Sequence, residues 1–160
     1  MPDAWLDIVA RLALSIVVGA VIGLNRDLHG KQAGVRTNAL VSLGAALAVL
    51  IVVPPGEDDA ERIDALSRVI QGVLTGIGFL GAGVILRDPV SRHVSGLTTA
   101  AAVWLAALLG VACGAGFYVV ALIALILGLG AIACGGPFER WFRRRDEPAS
   151  TDGERNDSSK

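Results

Sequence analysis

Five apolar stretches, each close to the length of a membrane crossing, occupy most of this 160-residue chain. A spanning helix needs about 17 to 25 mostly apolar residues. Residues 4–24, 37–53, 69–86, 97–113 and 117–134 all approach that length. Only Gly114, Ala115 and Gly116 separate the last two. One helix through both would be too long, so a tight helical hairpin is predicted there. With 53% hydrophobic and 18% charged residues, too little polar surface remains for a soluble domain this small. The expected fold is an all-α membrane protein, a compact bundle of five transmembrane helices with little tilt.

The loop charges set an orientation. The first stretch is followed by Arg26, Lys31 and Arg36, the third by Arg87 and Arg92, and the fifth by Arg140, Arg143, Arg144 and Arg145. The connection after the second stretch is acidic, and the 114–116 turn carries no charge. The positive-inside bias then puts the N-terminus outside and the C-terminus in the cytoplasm. Trp5 and Trp141 would anchor the two interfaces. The amino end lacks the positive region of a signal peptide, so the first stretch is expected to be retained as a helix. Residues 136–160 read as a basic juxtamembrane segment and a disordered cytoplasmic tail, with no further soluble domain expected.

The third stretch contains "VLTGIGFLGAGVIL", apolar throughout yet bearing Gly76, Gly78, Gly81 and Gly83. Glycine costs a water-exposed helix roughly 1 kcal/mol relative to alanine. In lipid, helices associate through close packing, and small residues permit it. At roughly 100° per residue, Gly72, Gly76 and Gly83 share one face, with Gly78 and Gly81 opposite. A helix thin on two faces is expected at the centre of the bundle. Its neighbours carry small residues too, among them Gly19 and Gly23 on the first helix and Gly110 on the fourth. These glycines serve packing or a partner surface; a helix unwound at them, baring carbonyls to an ion, is the alternative.

Charge at membrane depth is costly and therefore informative. Asp7 and Arg11 lie four apart on the first helix, as an internal ion pair or as part of a transport path. Asn25, Arg26, Arg36 and Thr37 crowd the first basic loop, where Thr37 or Asn38 would cap the second helix. Thr98 and Thr99 open the fourth helix, as caps or as hydrogen-bonding groups across helices. Gln71 and Thr75 could bond one another or a neighbour. Arg26, Lys31, Arg36, Arg87 and Arg92 would form one basic surface. It would serve topology and contact with anionic lipid, or dock an acidic partner or phosphate. The loop with Glu57, Asp58, Asp59, Glu61 and Asp64 lacks a calcium-loop pattern and reads as a solvated connector.

Other classes find no residues to carry them. "GIGFLGAG" lies inside a spanning stretch rather than after a strand, so it is no nucleotide loop. No nucleophile–base constellation occurs, and neither an enzyme activity nor a cofactor or metal site is expected. His29 and His93 are lone loop histidines, poor grounds for a metal site. Cys113 and Cys134 fall near opposite membrane faces and are expected to stay unpaired. Net charge is −1, and nothing basic enough for nucleic acid runs along the chain.

"GLNRDLHGKQAGVRTNALVSLGAAL", "VLTGIGFLGAGVILRD" and "VSGLTTAAAVWLAALLGVACGAG" together resemble the MgtC/SapB family of bacterial inner-membrane proteins, over roughly residues 10–135. Arg26, Gly34, Arg36, Thr37, Gly76, Gly78, Phe79, Gly81, Gly83, Gly96, Thr98, Thr99 and Trp104 match its pattern. The resemblance implies a compact helical membrane domain linked to growth at low magnesium and, in pathogens, to survival inside host cells. It further implies a regulator of other membrane proteins, with ATP synthase proposed as a target, although magnesium transport was the first assignment. Two departures matter. The family often has an acidic residue where this chain has Asn25, and its longer members carry a C-terminal cytoplasmic domain expected to be absent here.

Three functions follow. The preferred one is a non-transporting regulator that binds another integral membrane protein through small-residue faces, with a second copy of the chain as another occupant. The alternative is a carrier or channel for magnesium, an ion that prefers carboxylates and keeps its waters. Helices two to five contain no Asp or Glu, which disfavours it. The third is a structural protein directed to membrane lipids by the basic "RWFRRR".

Overall fold

The computed structural model describes residues 2–54, 60–87 and 94–145, with side chains for 4–54, 62–85 and 95–134. Among the described residues five helices follow in order: α1 (Pro2–Leu28), α2 (Val35–Val52), α3 (Ala60–Gly83), α4 (Leu97–Gly114) and α5 (Tyr118–Arg145). A two-residue antiparallel ribbon, β1 (Leu86–Arg87) with β2 (Val94–Ser95), lies between α3 and α4, pairing Leu86 with Ser95. Among the described residues, four helices are long and apolar enough to cross a membrane: Ala4–Leu28, Val35–Val52, Arg62–Gly83 and Leu97–Gly114. Tyr118–Cys134 is apolar but shorter, about 25 Å at 1.5 Å per residue. The chain divides into two units, residues 1–129 and 130–160. The bundle lies in the first; in the second, the helix continues to Arg145.

The turns follow from local chemistry. At the end of α1, Gly30 adopts φ +61°, with Gly30 N–H donating to Asp27 O and Lys31 N–H to Arg26 O. At the end of α4, Gly116 adopts φ +84°, with Gly116 N–H donating to Cys113 O and Phe117 N–H to Ala112 O. Both are Schellman closures, in which a left-handed residue costs glycine least. The second makes the α4–α5 connection as short as its Gly-Ala-Gly sequence predicts. The basic stretch 140–145 is helical; the side chain of Trp141 and residues 146–160 lie outside the described set.

α2 is the helix gripped from both sides, not α3. On α1, a β-carbon at Gly19 would overlap Asn38 O and lie 2.8 Å from Ser42 Cβ. One at Gly23 would lie 2.5 Å from Val35 Cα. On α4, one at Gly110 would overlap Ser42 O and lie 2.8 Å from Ser42 Cα, and one at Gly114 would lie 2.7 Å from Ala46 O. α1 and α4 thus lay glycines on two sides of the α2 backbone, a contact of helices with almost nothing between them. Around it pack Ala45, Val49, Val53, Val103, Ala107 and Val111, all buried.

α3 contributes buried Ile77 to this core, with Leu66, Val69, Ile70 and Val73 packed against it. Its glycines do not take part in the way their spacing suggests. Nothing lies within 4 Å of a β-carbon built at Gly72, Gly76, Gly78 or Gly83, and Gly81 meets only Ala100 Cβ, at 3.7 Å. The expectation of a central third helix is therefore corrected. Spacing shows that a face is thin; it does not show which neighbour arrives, and here α3 packs with its branched aliphatic face instead.

Large apolar side chains cover the outside of the bundle, including Trp5, Ile51, Phe79 and Leu127. In water such a surface would drive association; in hydrocarbon it is the solvated face.

Candidate functional site

The bundle has two ends. The loop end carries the α1–α2 turn and the amino ends of α2 and α4; the hairpin end carries Asp7, Val53 and the α4–α5 turn. Each holds polar side chains.

At the hairpin end, Arg11 Nε pairs with Asp7 Oδ2 at 2.8 Å, and Arg11 Nη1 donates to Gly114 O at 2.9 Å. Tyr118 Oη–H donates to Asp7 Oδ1 at 3.2 Å. Both Asp7 oxygens are engaged, so the cluster ties α1 to the α4–α5 turn.

At the loop end, α1 runs into an arginine that cannot reach open water. Arg26 is 4% exposed. Its Nη2 donates to Thr99 Oγ1 at 2.5 Å, across to the first turn of α4. Its Nε is buried without a partner. It forms no ion pair with a carboxylate among the described residues. Burying a guanidinium costs several kcal/mol unless it is paired, so Arg26 is a candidate functional residue.

The neighbouring carboxylate serves elsewhere. Asp27 Oδ2 accepts from Val35 N–H at 2.9 Å and caps α2 from outside it. A β-carbon at Gly34 would overlap that carboxylate, which accounts for the glycine there. Neither Thr37 nor Asn38 caps α2, as the sequence suggested; the helix opens on Gly34, and Thr37 is exposed. Asn38 is fully buried and points back, its Nδ2 donating to Ala33 O at 2.5 Å and Gly34 O at 3.0 Å. Its Oδ1 has no partner, nor do the buried Asn25 Oδ1 and Ser42 Oγ.

α4 opens on Gly96 at φ +93° without a side-chain cap. A β-carbon there would overlap Val84 O, because the chain leaving α3 runs against it. Thr99 is buried and occupied by Arg26, whereas Thr98 is exposed. Arg36 and Lys31 are exposed. The single basic surface is thus corrected: Arg26 is inside the bundle, and the side chains of Arg87 and Arg92 lie outside the described set. Glu57, Asp58, Asp59, the Glu61 side chain and His93 also lie outside it, and Asp64 is exposed.

A third feature lies along α2 and α3. Leu40, Val41, Gly44, Ala45, Val73, Gly76, Ile77 and Leu80 line an apolar groove of about 380 Å³. Gly44 and Gly76 both leave open space there. Gln71 and Thr75 sit on α3, both exposed, with Thr75 Oγ1–H donating to the Gln71 carbonyl rather than to its side chain. Cys113 and Cys134 are both free thiols. Among the described residues, no three His, Cys, Asp or Glu side chains gather as a metal site.

Of these features, Asp27, Asn38 and Ser42 were missed as structural centres. The available signal was polar spacing: Asn38 and Ser42 lie four apart, on one face of an otherwise apolar stretch.

Comparison with known proteins places the geometry in context. The family model described as MgtC family matches residues 12–141. Protein SrpB of Synechococcus elongatus is 47% identical over 132 residues, covering 78% of this chain and 72% of SrpB. An uncharacterized protein of Haemophilus influenzae is 38% identical over 155 residues, 94% of this chain and 64% of its own length. Protein MgtC of Salmonella typhimurium strain LT2 is 39% identical over 149 residues, 92% of this chain and 59% of that protein. The chain therefore spans about three fifths to three quarters of the length of these relatives. No solved structure matches.

Proposed function

The chain belongs to the MgtC family, and from that premise we propose that it is a regulator of another integral membrane protein, linked to magnesium homeostasis. It would act in the bacterial inner membrane with its N-terminus outside, the orientation that the loop charges favour. The observation that carries this reading is the open groove between α2 and α3. Gly44 and Gly76 leave room there for a partner helix to approach the backbone. The carrier alternative is disfavoured at Asp7, whose oxygens are held by Arg11 and Tyr118.

Two measurements on the full chain separate these readings. With Gly76→Cys in native membranes, crosslinking is expected to capture a different membrane protein. Proteoliposomes holding a magnesium dye are expected to show no flux above protein-free vesicles. Flux that Asp7→Asn abolishes would reassign the protein as a carrier, and adducts formed only with its own copies would remove the partner.

A further inference from the structure

At the hairpin end, the carboxyl end of α2 and the first turns of α3 border an open cavity of about 480 Å³, lined by Val52, Asp64, Ala65, Arg68 and Val69. Small-ligand sites measure about 300 to 1,000 Å³. The lining is an apolar wall with one carboxylate and one guanidinium set into it. Asp64 and Arg68 lie four apart on α3, so their side chains rise from the same face. In this order, acid before base, such a pair favours bonding itself. Here it does not. Among the described residues, neither side chain has an ion pair or a hydrogen bond. Both are exposed, and both line the cavity. Each charge is therefore open to a group of opposite sign in the same space.

The order of the charges along the helix is informative. Arg68 is the last charge before the uncharged run from Val69 to Gly83, the part of α3 suited to hydrocarbon. Asp64 stands about 6 Å further out, at 1.5 Å per residue. From the hydrocarbon side outward, the cavity thus offers Val69, then Arg68, then Asp64. A lipid that matches has its phosphate next to the glycerol and acyl chains, and a terminal cation beyond it. Phosphatidylethanolamine has that order, with two carbons between the phosphate oxygen and the ammonium. Phosphatidylglycerol has no cation for Asp64 and brings net negative charge to a carboxylate. Phosphatidylcholine has both charges, but its quaternary nitrogen has no N–H to donate.

We propose that this cavity binds the headgroup of phosphatidylethanolamine. Arg68 donates to the phosphate, Asp64 accepts from the ammonium, and Val52, Ala65 and Val69 lie along the glycerol end of the acyl chains. The inference does not depend on the regulator reading, which rests on the groove at Gly44 and Gly76.

Calorimetric titration of the full chain, delipidated in mild detergent, tests it. The probes are short-chain phosphatidylethanolamine, phosphatidylglycerol and phosphatidylcholine, and soluble phosphoethanolamine. Saturable binding of phosphatidylethanolamine at one per chain is expected, at least about tenfold tighter than binding of the other three compounds. Asp64→Asn should weaken it by about tenfold or more and remove the preference over phosphatidylcholine, and Arg68→Gln should weaken it by a similar factor. The exchange of Asp64→Arg with Arg68→Asp keeps both charges but reverses their order, and should bind no better than the single variants. Both positions are exposed, so these variants are expected to fold, and their melting temperatures check this. No saturable binding to the wild-type chain, equal binding of the three lipids, or unchanged affinity in the exchanged variant overturns the proposal. Phosphoethanolamine binding as tightly as the lipid would assign the cavity to a soluble zwitterion and overturn the lipid.

Discussion

Gly110→Ala is expected to destabilise the helical bundle strongly. The added methyl carbon overlaps Ser42 O and approaches Ser42 Cα to 2.8 Å, and both are backbone atoms of α2. No side chain can rotate away to relieve this, so α4 must move bodily off α2. Overpacking in a well-packed core costs about 1 to 3 kcal/mol, occasionally more. A backbone obstacle belongs at the upper end of that range. Separation of α4 would also uncover Val49 and Val103, which are almost completely buried. The check is the monodisperse fraction after detergent extraction, with unfolding followed by tryptophan fluorescence. Gly19→Ala is expected to behave alike, since its methyl would overlap Asn38 O on the other side of α2.

Thr99→Val is the second large effect. The two side chains have nearly the same shape, so little packing changes. The hydroxyl that accepts from Arg26 Nη2 is lost, and a buried guanidinium is left with neither Nη2 nor Nε bonded. A hydrogen bond to a charged group contributes about 1.5 to 3 kcal/mol, and leaving a buried charge unpaired exacts the full desolvation penalty. The double variant Thr99→Val with Arg26→Leu removes both partners and should regain much of the lost stability. Thermal unfolding of the two single variants and the double variant yields the coupling, expected to exceed about 1 kcal/mol. A double variant less stable than either single one would place the importance of Arg26 elsewhere.

These two sites differ in how readily the sequence discloses them. The helices themselves are legible, because runs of apolar residues near spanning length admit few other structures in lipid. The α4–α5 hairpin is legible from Gly114 and Gly116, and the glycines on α1 and α4 from their small-residue spacing. The position of α3 is not. Its glycines make it look like the best-packed helix, whereas its Val69, Val73 and Ile77 face is the one used. Periodicity describes a helix face but names no neighbour.

The loop-end cluster was partly hidden for a similar reason. An arginine after an apolar helix reads as a snorkelling group or a surface charge. Its burial comes with a contact to the first turn of α4, through Thr99, which is a tertiary fact. Asp27 illustrates the same point, since the carboxylate beside Arg26 bonds Val35 N–H instead of the guanidinium. Asn25 appeared as a departure from an acidic pattern; the structure adds that its side-chain oxygen is buried and unbonded.

The central claim is that α1 and α4 close the fold around α2, leaving the glycine face of α3 unused within the chain. Its most direct test is the melting temperature of the triple variant Gly72→Leu, Gly76→Leu, Gly83→Leu, purified as the full chain. The account predicts a value within about 4 °C of the wild type, a change of roughly 1 kcal/mol. A fall as deep as that of Gly110→Ala would contradict it.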